Sequence, residues 1–225
     1  MLLIIEQKCA HWLLEENGRA NLRVNKQKFI YLISPNKISI NFYQNLKLVL
    51  KTKKVSFFQL RLKNYSQKKK IIIGKKIRNI CKKNKVKFIV NDDPVLTLKL
   101  NADGCHLGQN DTNIQIAKKI LGKKIIGVTC HNSVNLAKKA IKAKASYIAF
   151  GAFYQSKTKK TKYAASIKIL KKVKKFTKTP LVAIGGINDV NYKNLLLNKA
   201  NFLAISSYIW KNKKYKPLQA IERLK

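Results

Sequence analysis

Four of the nine acidic residues in this 225-residue chain, Asp92, Asp93, Asp103 and Asp111, fall within one stretch, FIVNDDPVLTLKLNADGCHLGQND (88–111). Only one of the 49 Lys and Arg residues, Lys99, shares it. Asp92 and Asp111 each follow a short apolar run. If those runs are neighbouring strands, the two carboxylates converge. Arg61, Lys63 and Lys159 follow other such runs. Two carboxylates ringed by cations suit a hard divalent ion such as Mg²⁺, which takes one or two carboxylates and completes its shell with water and phosphate oxygens. Taken singly, Asp111 also reads as a helix N-cap and Asp92 as a turn residue before Pro94. Asp93 reads as an outer-sphere partner of a metal or, preferably, as an exposed turn residue. Gly185-Gly186, just after another apolar run, reads as a phosphate pocket built from backbone N–H groups, or as a tight turn that needs glycine. His106 and His131 have no nucleophile positioned beside them. His106 therefore reads as a core or stacking residue, and Cys130 as a small buried one.

The elements that must position these residues are legible. Eight runs rich in β-branched and aromatic residues recur: FIYLIS (29–34), VSFFQL (55–60), KFIVN (87–91), GCHL (104–107), KIIGV (124–128), YIAFGAF (147–153), PLVAIGG (180–186) and FLAIS (202–206). They are near-continuously apolar, as buried parallel strands are. Between most of them lie Lys/Leu/Ile/Ala-rich segments with helical spacing, such as Leu136, Ala137, Ala140 and Ile141. Asp111, Asn132 and Asn188 are expected N-caps. Strand followed by helix, eight times over, predicts an α/β fold, a (β/α)8 TIM barrel over residues 28–225. A doubly wound open sheet is the alternative. Residues 1–27 precede the first strand and predict an amphipathic, helical N-terminal extension. In such a barrel the site lies at the C-terminal strand ends, where nearly every run here ends in polar residues.

The formal net charge is +40, carried by 44 Lys and only five Arg. Arg is the better residue for bidentate phosphate and base contacts. No specific nucleic-acid partner is expected, and nonspecific, salt-sensitive polyanion adhesion is. The charge otherwise reads as a solvated surface. Cys9, Cys81, Cys105 and Cys130 form no CxxC pair and read as reduced thiols of a cytoplasmic protein. The Met1–Ile5 run is too short for a signal-peptide core and Glu6 interrupts it. No segment has the roughly 18 apolar residues of a membrane span, so no membrane partner is expected.

FQLRLK (58–63), VNDDP (90–94), ADGCHLGQND (102–111), IIGVTCHN (125–132), SYIAFGAFYQSKTKK (146–160) and PLVAIGGIN (180–188) together resemble the motifs of the thiamine-phosphate synthase family, in the family's order. The resemblance runs from about residue 29 to about residue 210. It implies a (β/α)8 barrel that joins a pyrimidinemethyl diphosphate to a thiazole phosphate, giving thiamine phosphate and diphosphate. It implies Asp92 and Asp111 as Mg²⁺ ligands. Arg61, Lys63, Asn91 and Lys159 are implied for the diphosphate, with Arg61 and Lys159 as the catalytic cations. Gln59, Thr129 and nearby His106 are implied for the pyrimidine, and Ser156, Thr158, Gly186, Ile205 and Ser206 for the thiazole phosphate. Thr129 stands where the family usually has Ser, and Ser156 where it usually has Thr. The partners implied are small molecules, with a homo-oligomer possible. Two alternatives stand beside this: a thiazole tautomerase-like barrel, and a polyanion-binding protein on a degenerate barrel.

Overall fold

The computed structural model describes residues 28–155 and 164–225. The N-terminal extension and Ser156, Thr158 and Lys159 lie outside the described residues. Eight parallel strands close a barrel in sequence order: β1 (Ile30–Ile33), β2 (Val55–Leu60), β3 (Lys87–Asn91), β4 (Gly104–Leu107), β5 (Ile125–Thr129), β6 (Tyr147–Phe150), β7 (Leu181–Ile184) and β8 (Phe202–Ile205). β1 pairs with both β2 and β8, so no open edge remains. The closed barrel is the fold expected, and the open-sheet alternative falls. Predicted strands 6 and 7 ran past the observed ends, because the glycines after Phe150 and Ile184 begin loops.

The helices between strands are α1 (Phe42–Lys51), α2 (Gln67–Lys83), α3 (Pro94–Lys99), α4 (Ile114–Leu121), α5 (Val134–Lys142), α6 (Lys168–Lys174) and α7 (Tyr192–Leu197). Two more, α8 (Ser207–Trp210) and α9 (Pro217–Glu222), follow β8. Their apolar faces pack on the barrel exterior, where Leu46, Val49, Ile77, Ala137, Leu170 and Leu195 are fully buried. Each large aliphatic side chain buried this way contributes about 1.5–3 kcal/mol. Lys54 closes the barrel base by donating from Nζ to the Glu222 and Leu224 carbonyls at the end of α9, 3.0 Å each. A cation there also meets the negative end of the helix dipole.

The three expected N-caps are corrected. Asn113, not Asp111, caps α4, its Oδ1 accepting from Gln115 N at 2.8 Å. Ser133, not Asn132, caps α5. Asn188 instead folds the loop before α7, its Oδ1 accepting from Val190 N and Asn191 N. In each case another short polar residue lies one to three positions on, and the register of the apolar face against the barrel selects it. Helix α3 gave no apolar period long enough to read. Its signal was Asp93-Pro94: Asp93 caps it, accepting from Leu96 N at 2.8 Å, with Pro94 in the first turn.

Inside the barrel the residues alternate with period two. Tyr31, Ile33, Phe57, Ile89, Ile125, Tyr147, Val182, Phe202 and Ala204 fill the interior as a separate cluster. Continuing the same parity towards the strand ends gives Gln59 and Arg61, Asn91, His106, Thr129, Gly186 and Ser206. The inward face therefore turns from apolar to polar as the strands rise to the mouth.

Candidate active site

The register brings β3, β4 and β5 together at the mouth. Asn91 pairs with His106, His106 with Gly127, and Thr129 with Ala149 on β6. Asp92 follows Asn91 with φ +66°, a left-handed conformation that Asp tolerates better than most residues. Its amide donates to the His106 carbonyl at 2.8 Å, so the carboxylate stands on the rim of a fixed ladder. Asp111 lies in the loop after β4, where its Oδ2 accepts from Gly108 N at 2.7 Å. A Cβ on Gly108 would sit 2.7 Å from that oxygen, so glycine permits the approach.

The two carboxylates meet. Burial first, then a hydrogen bond shared with Asp111 and the Asp111 charge, push the Asp92 carboxyl up to about 6, while Lys63 and Arg61 pull the other way. Lys63 Nζ is 3.7 Å from Asp92 Oδ2. The Arg61 amide is pinned by Ser34 Oγ at 2.9 Å, tying the β2 end to the β1 end. Two half-opposed carboxylates whose repulsion the protein's own cations only partly relieve fit a divalent cation. Among the described residues no group of three or more His, Cys, Asp or Glu gathers in metal-holding geometry. A pair is what Mg²⁺ needs when waters and substrate phosphates complete its shell.

The four clustered aspartates thus separate. Asp92 and Asp111 face the mouth. Asp93 is the α3 cap and also accepts from Gln67 Nε2 at 2.9 Å, so it is more than the exposed turn residue preferred from the sequence. Asp103 lies at the other end of the barrel, accepting from Phe88 N and pairing with Arg78 at 3.8 Å and Lys87 at 3.4 Å.

Below the carboxylates runs a hydrogen-bonded chain. Gln59, buried on β2, donates from Nε2 to Tyr31 Oη at 3.0 Å. Tyr31 Oη and Tyr147 Oη are 2.7 Å apart. His106 Nδ1 is 2.9 Å from Tyr147 Oη, and its Nε2 is 2.8 Å from Thr129 Oγ1. Gln109 Nε2 donates to the Thr129 carbonyl. Burial lowers His106 to about 4, with the Asp111 charge opposing it and the Arg61 charge adding a smaller push, so the ring is neutral at pH 7. A neutral ring held between two hydroxyls is not a free general base, and its ring also stacks on Tyr147. Tyr31 and Tyr147 escaped the sequence reading. Each sits in an apolar run whose two faces are both buried, and nothing in such a run says which side chain points inward. Ser34 was missed likewise.

On the far side of the mouth, Gly185 and Gly186 follow β7 with φ +106° and +62°. A Cβ on Gly186 would lie 2.6 Å from the carbonyl oxygens of Tyr154 and Gln155. The chain's own packing therefore demands glycine before any ligand is considered. Asn191 Nδ2 holds the Gly186 carbonyl at 3.0 Å. Ile205 ends β8, and Ser206 Oγ donates to the Ser34 carbonyl at 3.2 Å. Cys105 and Cys130 are buried, and burial pushes both thiols up to about 12. Neither is an activated nucleophile. Cys81 is free and buried as well. No helix among the described residues is long and apolar enough to cross a membrane.

The family model described as thiamine monophosphate synthase matches residues 30–209. The chain is 68% identical over 204 residues to a thiamine-phosphate synthase of Pelagibacter ubique (strain HTCC1062), covering 90% of this chain and 98% of that protein. It is 38% identical over 196 residues to a thiamine-phosphate synthase of Erythrobacter litoralis (strain HTCC2594), covering 85% and 92%. Among solved structures, a thiamine phosphate pyrophosphorylase from Pyrococcus furiosus superposes with a TM-score of 0.78 at 27% identity, covering 88% of this chain and 94% of that one.

Proposed function

The chain belongs to the thiamine monophosphate synthase family and is a transferase that makes thiamine phosphate, and from that premise we propose how its residues divide the work. The pyrimidinemethyl diphosphate lies over β2–β5 and the thiazole phosphate over β7–β8. The observation that carries this reading is the convergence of Asp92 and Asp111 beside Lys63 and Arg61 at one side of the mouth.

Asp92 and Asp111 hold Mg²⁺, which when bound supplies a Lewis acid for the charge that develops on the departing diphosphate. Arg61, Lys63 and Asn91 bind the diphosphate oxygens, and Lys159 joins them by its place in the QSKTKK motif. Their contacts strengthen as the C–O bond breaks, because the negative charge grows towards them. The electron-rich aminopyrimidine carries the complementary positive charge, and the thiazole nitrogen attacks the exposed methylene carbon. Gln59 and Thr129 orient the pyrimidine, with His106 behind them. Ser156, Thr158, Gly186, Ile205 and Ser206 hold the thiazole phosphate against that carbon. Holding two reactants face to face provides much of the remaining acceleration. No side chain must act as nucleophile or strong base, in keeping with the neutral His106 and the protonated thiols. A tautomerase would make no use of this cationic diphosphate apparatus.

The protein works in the cytoplasm, on small molecules, and its lysine-rich surface adheres to polyanions only through charge. The experiment is release of diphosphate from pyrimidinemethyl diphosphate, thiazole phosphate and Mg²⁺, with and without EDTA. Release that requires both substrates and the metal is expected. Release that persists in EDTA would remove the metal from the carboxylate pair.

A further inference from the structure

Five residues from five strands form one hydrogen-bonded chain across the barrel floor, and its proton inventory closes in one direction. Gln59 Nε2 donates to Tyr31 Oη. The Tyr31 oxygen has thereby received a proton, and its own proton has one buried acceptor within reach, Tyr147 Oη at 2.7 Å. The Tyr147 proton then goes to His106 Nδ1 at 2.9 Å. A neutral imidazole that accepts at Nδ1 carries its hydrogen on Nε2. Nε2 therefore donates to Thr129 Oγ1 at 2.8 Å.

Two valences are left over. The Thr129 hydroxyl hydrogen has no acceptor in the chain. Among the described residues no donor reaches the Gln59 carboxamide oxygen. Among the described residues the buried side-chain oxygens without a partner are Thr179 Oγ1 and Tyr208 Oη. The Gln59 oxygen is not one of them, and it is the end of the amide turned away from Tyr31. The reverse polarity requires every member to turn over together, including the Gln59 amide, which would then aim its NH₂ outward. Arg61 follows Gln59 on the same inward face of β2, and its charge reaches His106. A cation at the mouth favours the carbonyl end of the amide facing it.

We infer that Tyr31, Tyr147 and His106 are positioning residues that fix Gln59 as a hydrogen-bond acceptor and Thr129 as a donor, so that the barrel floor selects a 4-aminopyrimidine over its 4-oxo counterpart. The inference rests on the proposed placement of the pyrimidine over Gln59 and Thr129. A 4-aminopyrimidine offers an N–H donor beside a ring-nitrogen acceptor, which is the complement of this pair. A 4-oxopyrimidine offers a carbonyl acceptor beside a ring N–H, which is the reverse. A site built to satisfy one pattern leaves buried polar groups unpaired against the other. Gly127 is part of the device. It lies between His106 and Tyr147 in the ladder, and a Cβ there would fall 1.9 Å from the Tyr147 ring. Only glycine lets the phenol cross to meet both His106 and Tyr31.

The test uses the full chain, ¹⁵N-labelled at histidine. The chain has three histidines, and the His106 signal is identified by its loss in His106→Gln. The expected tautomer is Nε2–H; an Nδ1–H tautomer overturns the relay. Competitive inhibition by the 4-amino and 4-oxo pyrimidinemethyl monophosphates, which cannot release diphosphate, then reads recognition apart from chemistry. The 4-amino compound is expected to bind at least about 100-fold more tightly. Tyr147→Phe removes the proton that holds Nδ1 as an acceptor, and Tyr31→Phe frees the Gln59 amide to turn. Each is expected to lower the inhibition ratio about tenfold with the thiazole-phosphate KM unchanged. A ratio unaltered in both folded variants overturns the specificity role. Thr129→Val separates the relay from the pyrimidine placement. If it leaves inhibition by both compounds unchanged while the Nε2–H tautomer persists, the pyrimidine placement has failed and the relay has not.

Discussion

On the proposed reading, the two halves of the barrel mouth solve anion binding by different means. The β2–β5 half uses side chains: Arg61, Lys63, Asn91, two carboxylates and the polar chain beneath them. The β7–β8 half uses backbone, with Gly185 and Gly186 in left-handed conformations and Asn191 gripping the Gly186 carbonyl. In that proposal the first half would stabilise charge that changes during the reaction, with groups of adjustable charge and a carboxylate pair suited to a metal. The second would hold a phosphate whose charge does not change, for which fixed dipoles suffice. The difference also shows in stability. The side-chain half stores repulsion between Asp92 and Asp111, whereas the backbone half is dictated by packing, since any Cβ on Gly186 would strike two carbonyls.

The largest expected effect breaks the first half. Asp92→Ala should lower kcat/KM by at least about 10³-fold while the barrel still folds, because the side chain sits on a rim and not in the core. Full activity in steady-state assays would sink the carboxylate assignment. Gly186→Ala should break the second half alone. It is expected to raise the thiazole-phosphate KM about 10–100-fold through displacement of the loop, with the pyrimidine-diphosphate KM unchanged. Equal rises in both would erase the distinction between the halves.

A third test sharpens the comparison through pH. Asp92 is raised to about 6 in the metal-free fold, so its carboxyl binds a proton more readily folded than unfolded. Its contribution to stability is present at low pH and is lost as pH rises from about 4 to about 6. His106 is lowered to about 4, so its contribution is present above about 6.5 and is lost as pH falls towards 4. The two slopes oppose each other in one window. In EDTA, Asp92→Asn should therefore steepen the loss of stability in acid, and His106→Gln should flatten or reverse it. Denaturant midpoints from pH 4 to 7 would show this; parallel curves for all three proteins would refute it. No such slope is expected from Gly186→Ala.

The smallest effect lies at the barrel base, which neither half uses. Lys53, Lys85, Lys144 and Lys199 end helices with φ between +55° and +79°, where glycine is the usual residue. Lys85→Gly should stabilise the protein by roughly 0.5–1 kcal/mol with both KM values unchanged. A thermal midpoint that falls would contradict it.

Those lysines also show why helix ends were hard to read. The residue that marks a helix C-terminus by its conformation is here a lysine, indistinguishable in sequence from the many lysines on the faces; Gly122 is an exception that can be seen. Strands were legible because β-branched and aromatic runs stand out from lysine-rich helices. The positions of Asp92, Asp111 and Gly186 at the mouth were legible because a charge or a glycine at the end of such a run stands out, although packing alone already demands the glycine at 186. The Asp93 cap was misread because Asp92 and Asp93 are adjacent and only the direction of each side chain separates them.

By itself the sequence determined the order of the elements, the barrel class and the residue types at each strand end, because these follow from local composition and from motifs. Tertiary structure alone decided which way those residues face and whom they meet. Closure of the barrel carried Asp103 to the base and its three neighbours to the mouth. It also joined Tyr31, Gln59, His106, Thr129 and Tyr147 from five strands into one polar chain. In strands buried on both faces no alternation of polarity marks the inside, so the partners of a buried hydroxyl are set only when the ring of strands is closed.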